Sequence, residues 1–179
     1  MKEFIDASVF LGMHSKDEKI RVSCKNFFVN SLKNKKSISM SLEQVGKCDD
    51  VIWRFPRKKQ DAYYPFMDNL HTLMKIERVP YTKSDFELAL KEKELTGLDF
   101  LQKLTISMAI CRRGVMYTID SALLSKKKLP VIKPAFSREL YFPKNLEELY
   151  QKSLELMLYI SKNCQKSIYN PFCMAQLGI

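Results

Sequence analysis

At 179 residues the chain suffices for one domain with a substantial core, and 46% apolar with 28% charged residues excludes a disordered chain. A formal charge of +10 favours polyanions, so nucleic acid is the first partner to consider and an acidic membrane surface the second; simple solubility is the ordinary reading. No run approaches the roughly 20 apolar residues of a membrane span, and no basic-then-apolar leader opens the chain.

The first stretch, KEFIDASVFLG, residues 2–12, reads as a buried strand punctuated by Gly12, with one carboxylate, Asp6, inside it. Ser15 and Glu18 then have capping-box spacing ahead of a helix carrying Ile20, Cys24, Phe27, Phe28 and Leu32 at helical period. SISMS (37–41) alternates as a second strand, and LEQVGKCDDVIWRF follows as a helix stopped by Pro56. A further helix is expected from Arg57 to Lys75, broken near Pro65, with Tyr64, Leu70 and Met74 on its inner face. IERVPY is a short extended piece. Ser84 and Glu87 repeat the capping-box spacing and start a helix through about Glu94, which Gly97 breaks. The next helix, LDFLQKLTISMAICRR, turns Leu101, Leu104, Met108 and Ile110 or Cys111 inward and stops at Gly114. VMYT is a strand, DSALLSKKK a short helix and LPVIK the last strand. Asn145, with Glu148 behind it, caps a final helix (145–164) whose face is Leu146, Leu149, Met157, Ile160 and Cys164, packed on the domain; the tail from Ser167 to Ile179 is irregular.

This alternation predicts a single α/β domain over residues 1–179, a three-layer α/β/α sandwich with a mostly parallel sheet of four to five strands and an extra C-terminal helix. Binding sites in such sheets lie beyond the carboxyl ends of the strands. Four acids fall there: Asp6 in the first strand, Glu43 after the second, Asp99 opening the central helix, and Asp120 after VMYT. Like charges gathered at one edge repel unless a cation relieves them, and a set of carboxylates suits a hard divalent ion. Singly, Glu43, Asp99 and Asp120 also suit the first turns of helices, where the dipole favours acids; a carboxylate inside an apolar strand has no such explanation.

FIDASVFL, SLEQV, the Asp99-led helix LDFLQKLTISMAI and the T-I-D of Thr118 to Asp120, in this order and spacing, resemble the PIN domain, the nuclease fold of many toxin–antitoxin toxins and RNA-processing enzymes. The resemblance covers residues 3–133 and leaves 134–179 as a C-terminal extension. It implies a metal-dependent endoribonuclease in which Asp6, Glu43, Asp99 and Asp120 hold one or two Mg²⁺ or Mn²⁺ ions, with Ser8 and Thr118 supporting them. It places RNA ahead of DNA as substrate, and it implies a toxin or defence role with an antitoxin or other protein partner. It also raises a homodimer, because residues 49–75 correspond to a helical clip used for dimerisation in toxin members. A DNA or structure-specific nuclease, or a PIN-like module that binds without cleaving, are the competing readings.

Among the basic clusters, Lys126, Lys127 and Lys128, close behind Asp120, are the best candidates for phosphate contact; Arg57, Lys58 and Lys59 are the next. LKNKK (32–36) reads as a solvated face. Arg112 and Arg113 suit the C-terminal end of their helix. Trp53, Tyr63 and Tyr64 interleave with basic residues in a manner that can stack single-stranded RNA, although core packing accounts for Trp53 and at least one tyrosine. His71 reads as structural, and His14 as a residue on the active-site side. Five scattered cysteines without a CxxC pair argue against a disulfide framework or structural zinc and for a reduced, cytoplasmic setting.

Overall fold

The computed structural model describes residues 1–158. Five strands, β1 (Glu3–Ile5), β2 (Ile38–Ser41), β3 (Glu77–Val79), β4 (Val115–Tyr117) and β5 (Val131–Ile132), form one sheet in the order β3-β2-β1-β4-β5. Every pairing is parallel: Glu3 of β1 lies opposite Ile38 on one side and Val115 on the other. The fold is the expected three-layer α/β/α sandwich. Its strand order reverses between β1 and β4, and it is beyond the carboxyl ends of strands at such a switch point that α/β sheets form their binding crevice.

Helices α1 (Ala7–Gly12), α2 (Glu18–Lys33), α3 (Leu42–Trp53), α4 (Arg57–Met74) and α8 (Lys144–Ser153) build one layer, sharing a core with Ile5, Ile38 and Met40. Helices α5 (Lys83–Lys91), α6 (Phe100–Cys111) and α7 (Ser121–Leu124) supply the other, around Phe4 and Met116. Phe4 and Ile5 therefore point to opposite layers, as successive strand residues must. Among the described residues no helix is long and apolar enough to cross a membrane.

The first strand is shorter than its apolar run. β1 ends at Ile5, and Asp6 caps α1 by accepting from the backbone N–H groups of Ser8 and Val9. Val9, Phe10 and Leu11 are therefore helical, and a run buried on all sides has no periodicity to separate helix from strand. Two caps also move. Asp17 caps α2, with Ser15 Oγ accepting from the Asp17 N–H, and the capping box of α5 is Thr82 with Asp85. Helix α4 runs unbroken through Pro65; the Asp61 carbonyl that loses its partner belongs to an exposed residue, where water can replace it. At the end of α6 the left-handed residue is Arg113 (φ 51°). Gly114 is needed for space instead: a Cβ there would lie 2.5 Å from the Phe4 ring and 2.7 Å from the Lys2 carbonyl oxygen.

The extension from Pro134 is fastened to the core. Helix α8 packs on α4, burying Leu146 and Tyr150. Lys25 of α2, with no exposed side-chain area, donates to Glu139 (2.7 Å) and Glu147 (2.8 Å) and lies 4.6 and 4.7 Å from the ring centroids of Tyr141 and Tyr150. The final helix is shorter than expected, ending at Ser153 with Pro143 at its N-cap. Ile160, Cys164 and the Ser167–Ile179 tail lie outside the described residues.

Candidate active site

The crevice is organised by one carboxylate. Asp6 is 5% exposed, and both of its oxygens are bonded. Oδ1 accepts from Ser8 N–H (3.0 Å), Ser8 Oγ (2.5 Å) and Val9 N–H (3.2 Å); Oδ2 accepts from Thr118 Oγ1 (2.5 Å). Thr118 follows β4 directly, so this bond crosses the switch in strand order. Its Oγ1 also accepts from the Asp120 N–H (2.9 Å), and Ser8 Oγ accepts from Ile119 N–H (3.0 Å). Ser8 and Thr118 thus lock the ends of β1 and β4 together, with Asp6 on one side and Asp120 on the other. Burial holds the Asp6 carboxyl above its ordinary range, and the charge of Asp120 adds to the rise. The bonds from Ser8, Thr118 and Val9 oppose it.

Asp120 caps α7, its Oδ1 accepting from Ala122 N–H (2.8 Å), while its Oδ2 accepts from Gln102 Nε2 (2.7 Å). Gln102 also makes a capping box with Asp99 at the start of α6: Gln102 N–H donates to Asp99 Oδ1 (2.8 Å), and Asp99 N–H donates to Gln102 Oε1 (2.9 Å). Gln102 therefore ties the Asp99 corner to Asp120. Asp99 itself is exposed.

Glu43 stands apart in a network of its own. Its Oε2 accepts from Gln44 Nε2 (2.9 Å) and Tyr81 Oη (3.0 Å), and its Oε1 pairs with Lys47 Nζ (3.0 Å). Gln44 reaches further, donating to Thr105 Oγ1 (3.0 Å) and accepting from Ala7 N–H (2.9 Å), so it links α3 to α6 and to the residue after Asp6. Burial pushes the Tyr81 hydroxyl up to about 12, keeping it a proton donor at neutral pH.

The four acids expected in one cage do not converge on one point. Among the described residues, no three His, Cys, Asp or Glu side chains are grouped so as to hold a metal ion. The donor chemistry nevertheless suits a hard cation at two of them. Asp6 Oδ2 and Asp120 Oδ2 each accept one hydrogen bond and keep lone-pair capacity. Among the described residues neither acid enters an ion pair. One or two carboxylates are the usual protein share of a Mg²⁺ site. Glu43 fits less well, since Lys47, Gln44 and Tyr81 already surround it.

The basic candidates divide. Lys126 Nζ donates to the Thr96 carbonyl (2.6 Å) and Lys128 pairs with Glu94 (2.8 Å), so both stitch the segment after α7 to the one before α6, whereas Lys127 is exposed. Arg57 pairs with Asp61 on its own helix, Lys59 lies over the Phe55 ring, and Lys58 is exposed. Arg112 grips both oxygens of buried Asp85 at 2.9 Å, a structural pairing. His14 is not at the crevice. It is fully buried, its Nε2 is 2.8 Å from Ser153 Oγ, and its ring packs against Tyr63, Phe66 and Tyr150. Trp53 is largely exposed and Tyr63 is core, which divides the aromatic cluster otherwise than expected.

The residues that sequence reading missed are Gln44, Tyr81, Gln102 and Thr105, which orient the acids without charge of their own. Lys133, an exposed residue just beyond β5, adds an unforeseen cation at the same edge of the sheet.

The chain belongs to a family of unknown function, DUF6190, whose model matches residues 1–163. No curated protein matches it. Among solved structures it is similar to a chain in the crystal structure of VapBC2 from Rickettsia felis bound to a DNA fragment from their promoter. The TM-score is 0.56 at 16% sequence identity, covering 74% of this chain and 98% of that one. The likeness is one of fold: a parallel five-stranded sheet flanked by helices on both faces.

Proposed function

We propose that this member of the DUF6190 family is a PIN-like, metal-dependent nuclease that hydrolyses phosphodiester bonds, with RNA ahead of DNA as substrate and Mg²⁺ or Mn²⁺ as cofactor. One observation carries the reading: two carboxylates, Asp6 and Asp120, flank Thr118 at the carboxyl ends of the central strands, close enough for one charge to disturb the other, and without a protein cation to pair them. A divalent ion bound there lowers the pKa of a coordinated water and offsets charge on the phosphate. Asp6 and Asp120 would hold it, with Asp99 reaching it through solvent. Ser8 and Thr118 fix the Asp6 carboxylate, and Gln102 fixes that of Asp120. Glu43 organises the neighbouring wall. Lys127 and Lys133 supply positive charge toward the substrate backbone.

A toxin-like role with a protein partner is part of this proposal, in keeping with the fold likeness to a chain of the VapBC2 complex, which is crystallised with promoter DNA. The second reading, a PIN-like module that binds without cutting, is favoured by the engagement of Glu43 with Lys47, Gln44 and Tyr81.

Labelled single-stranded RNA and DNA incubated with the full chain in Mn²⁺, Mg²⁺ or EDTA separates the two. The nuclease cleaves RNA in metal, stops in EDTA, and loses at least about 100-fold in rate in Asp6→Asn and Asp120→Asn, the scale on which a lost electrostatic group acts. Binding without cleavage in every metal establishes the module instead.

A further inference from the structure

Beside the acids runs a row of aromatic rings that the acid chemistry does not use. Tyr81, whose hydroxyl donates to Glu43, has its ring centroid 6.2 Å from that of Phe86 on α5. Phe86 is in turn 6.3 Å from Phe100, the first residue of α6 and the neighbour of Asp99. The row thus spans the rim from the Glu43 corner to the Asp99 corner. Tyr81 is partly buried and hydrogen-bonded, but Phe86 is 42% and Phe100 45% exposed. Two exposed phenylalanines side by side on neighbouring helices lose hydrophobic stabilisation unless something covers them.

The charges around them indicate what does. Lys83, one turn before Phe86 on α5, is almost fully exposed, 3.8 Å from its nearest acid, Glu87. Lys103, one turn after Phe100 on α6, enters no ion pair among the described residues. Each exposed ring is therefore followed or preceded at helical spacing by a lysine, on a chain of net charge +10. Rings for bases and ammonium groups for phosphates are the components of a single-strand binding surface. A duplex, whose bases are stacked on one another, offers the rings nothing.

We propose that Phe86 and Phe100 form a stacking platform for an unpaired base of a single-stranded polynucleotide, with Lys83 and Lys103 holding the adjoining phosphates. The platform deepens the nuclease reading, on which its role beside the cut bond rests. It assigns the substrate as single-stranded and sets one base against the rim next to the scissile phosphate.

Binding measured in EDTA tests the platform apart from cleavage. The probe is a 12-nucleotide single-stranded RNA carrying 2-aminopurine, read by anisotropy and by base fluorescence, with the matching duplex in parallel. The full chain should quench 2-aminopurine and prefer the single strand. Phe86→Leu and Phe100→Leu keep an apolar side chain but remove the ring; each should weaken single-strand binding roughly 10-fold and relieve the quenching, with the salt slope unchanged. Phe86→Tyr and Phe100→Tyr should bind as the parent does. Leucine variants that melt like the parent and bind RNA equally well overturn the platform, as does a parent that prefers the duplex or binds neither. Loss of a protein complex or of self-association in the leucine variants, with RNA binding intact, also overturns it and makes the face a protein contact. If the parent binds and quenches but does not cleave in any metal, the nuclease reading fails and the platform stands.

Discussion

Two of the regions in which this molecule buries charge do so in opposite ways. At the C-terminal clamp, Lys25 is removed from water completely but meets two carboxylates and two aromatic rings. At the crevice, Asp6 is nearly as buried but meets only neutral donors, with a second carboxylate close enough to raise its pKa. The first arrangement is complete as it stands. The second is left with a repulsion that folding alone would have no reason to keep. A fully compensated buried charge reads as architecture, and the uncompensated one is where the proposed cation would bind.

The sharpest way to break the contrast is at the clamp. Lys25→Met leaves Glu139 and Glu147 facing a buried apolar group and should cost about 3–5 kcal/mol, visible as a lower urea midpoint. At the crevice the same experiment should have little effect: Asp6→Asn keeps an acceptor for the α1 cap and removes a repelled charge, so stability should change by less than about 1 kcal/mol. Next in size is the response to metal. Mn²⁺ should raise the melting temperature of the parent, by as much as about 2.7 kcal/mol of stability at a hundredfold excess over Kd, and should leave Asp120→Asn unmoved. The Lys25 variant should keep the response.

A smaller effect comes from pH. Burial pushes the His14 imidazole down to about 3, so the folded protein holds it neutral. The unfolded chain protonates first, near pH 6.5, so this contribution is fully present above that value and is lost as pH falls toward 3. Between pH 6.5 and 5 the loss should be about 1.5–2 kcal/mol. His71, pushed down to about 4 mainly by burial, acts in the same sense, so His14→Gln should remove only part of the slope seen in urea titrations. The smallest change is expected from Lys127→Ala, which should leave stability alone and flatten the salt dependence of RNA binding by about one unit if the lysine meets one phosphate.

The contrast also shows what could be read from sequence. Four of the strands were legible because each carries a short apolar run between turn signals, whereas β3, Glu-Arg-Val, offered only a short extended piece, and the alternation with helices indicated a mostly parallel sheet. The acids at their carboxyl ends were legible because a carboxylate beside such a run is costly. Boundaries were less so. Asp6 could be seen as a buried charge but not as a helix cap, since Val9, Phe10 and Leu11 suit a strand equally well. Ser84 and Thr82 are both competent caps two residues apart, and the pairing of Asp85 with Arg112, 27 residues away, goes with the Thr82 choice. The network around Glu43 was hidden for the same reason. Gln44 and Thr105, 61 residues apart, carry no charge to announce them, and only the packed sheet brings them within 3.0 Å. The Lys25 clamp joins residues 114 and 122 positions apart and had no local signature.

That clamp alters the meaning of the border at residue 133, where the sequence motifs that resemble a PIN domain stop. A chain cut there would strip Lys25 of both counter-charges, open Asn26, whose side chain bonds the backbone of Arg138 and Leu140, and uncover the face of α4 on which α8 lies. The shortened piece would carry every proposed ligand and still be a poor protein, prone to aggregate through the bared helix. Whoever trims this polypeptide to its most recognisable part would discard the section that makes the remainder worth purifying.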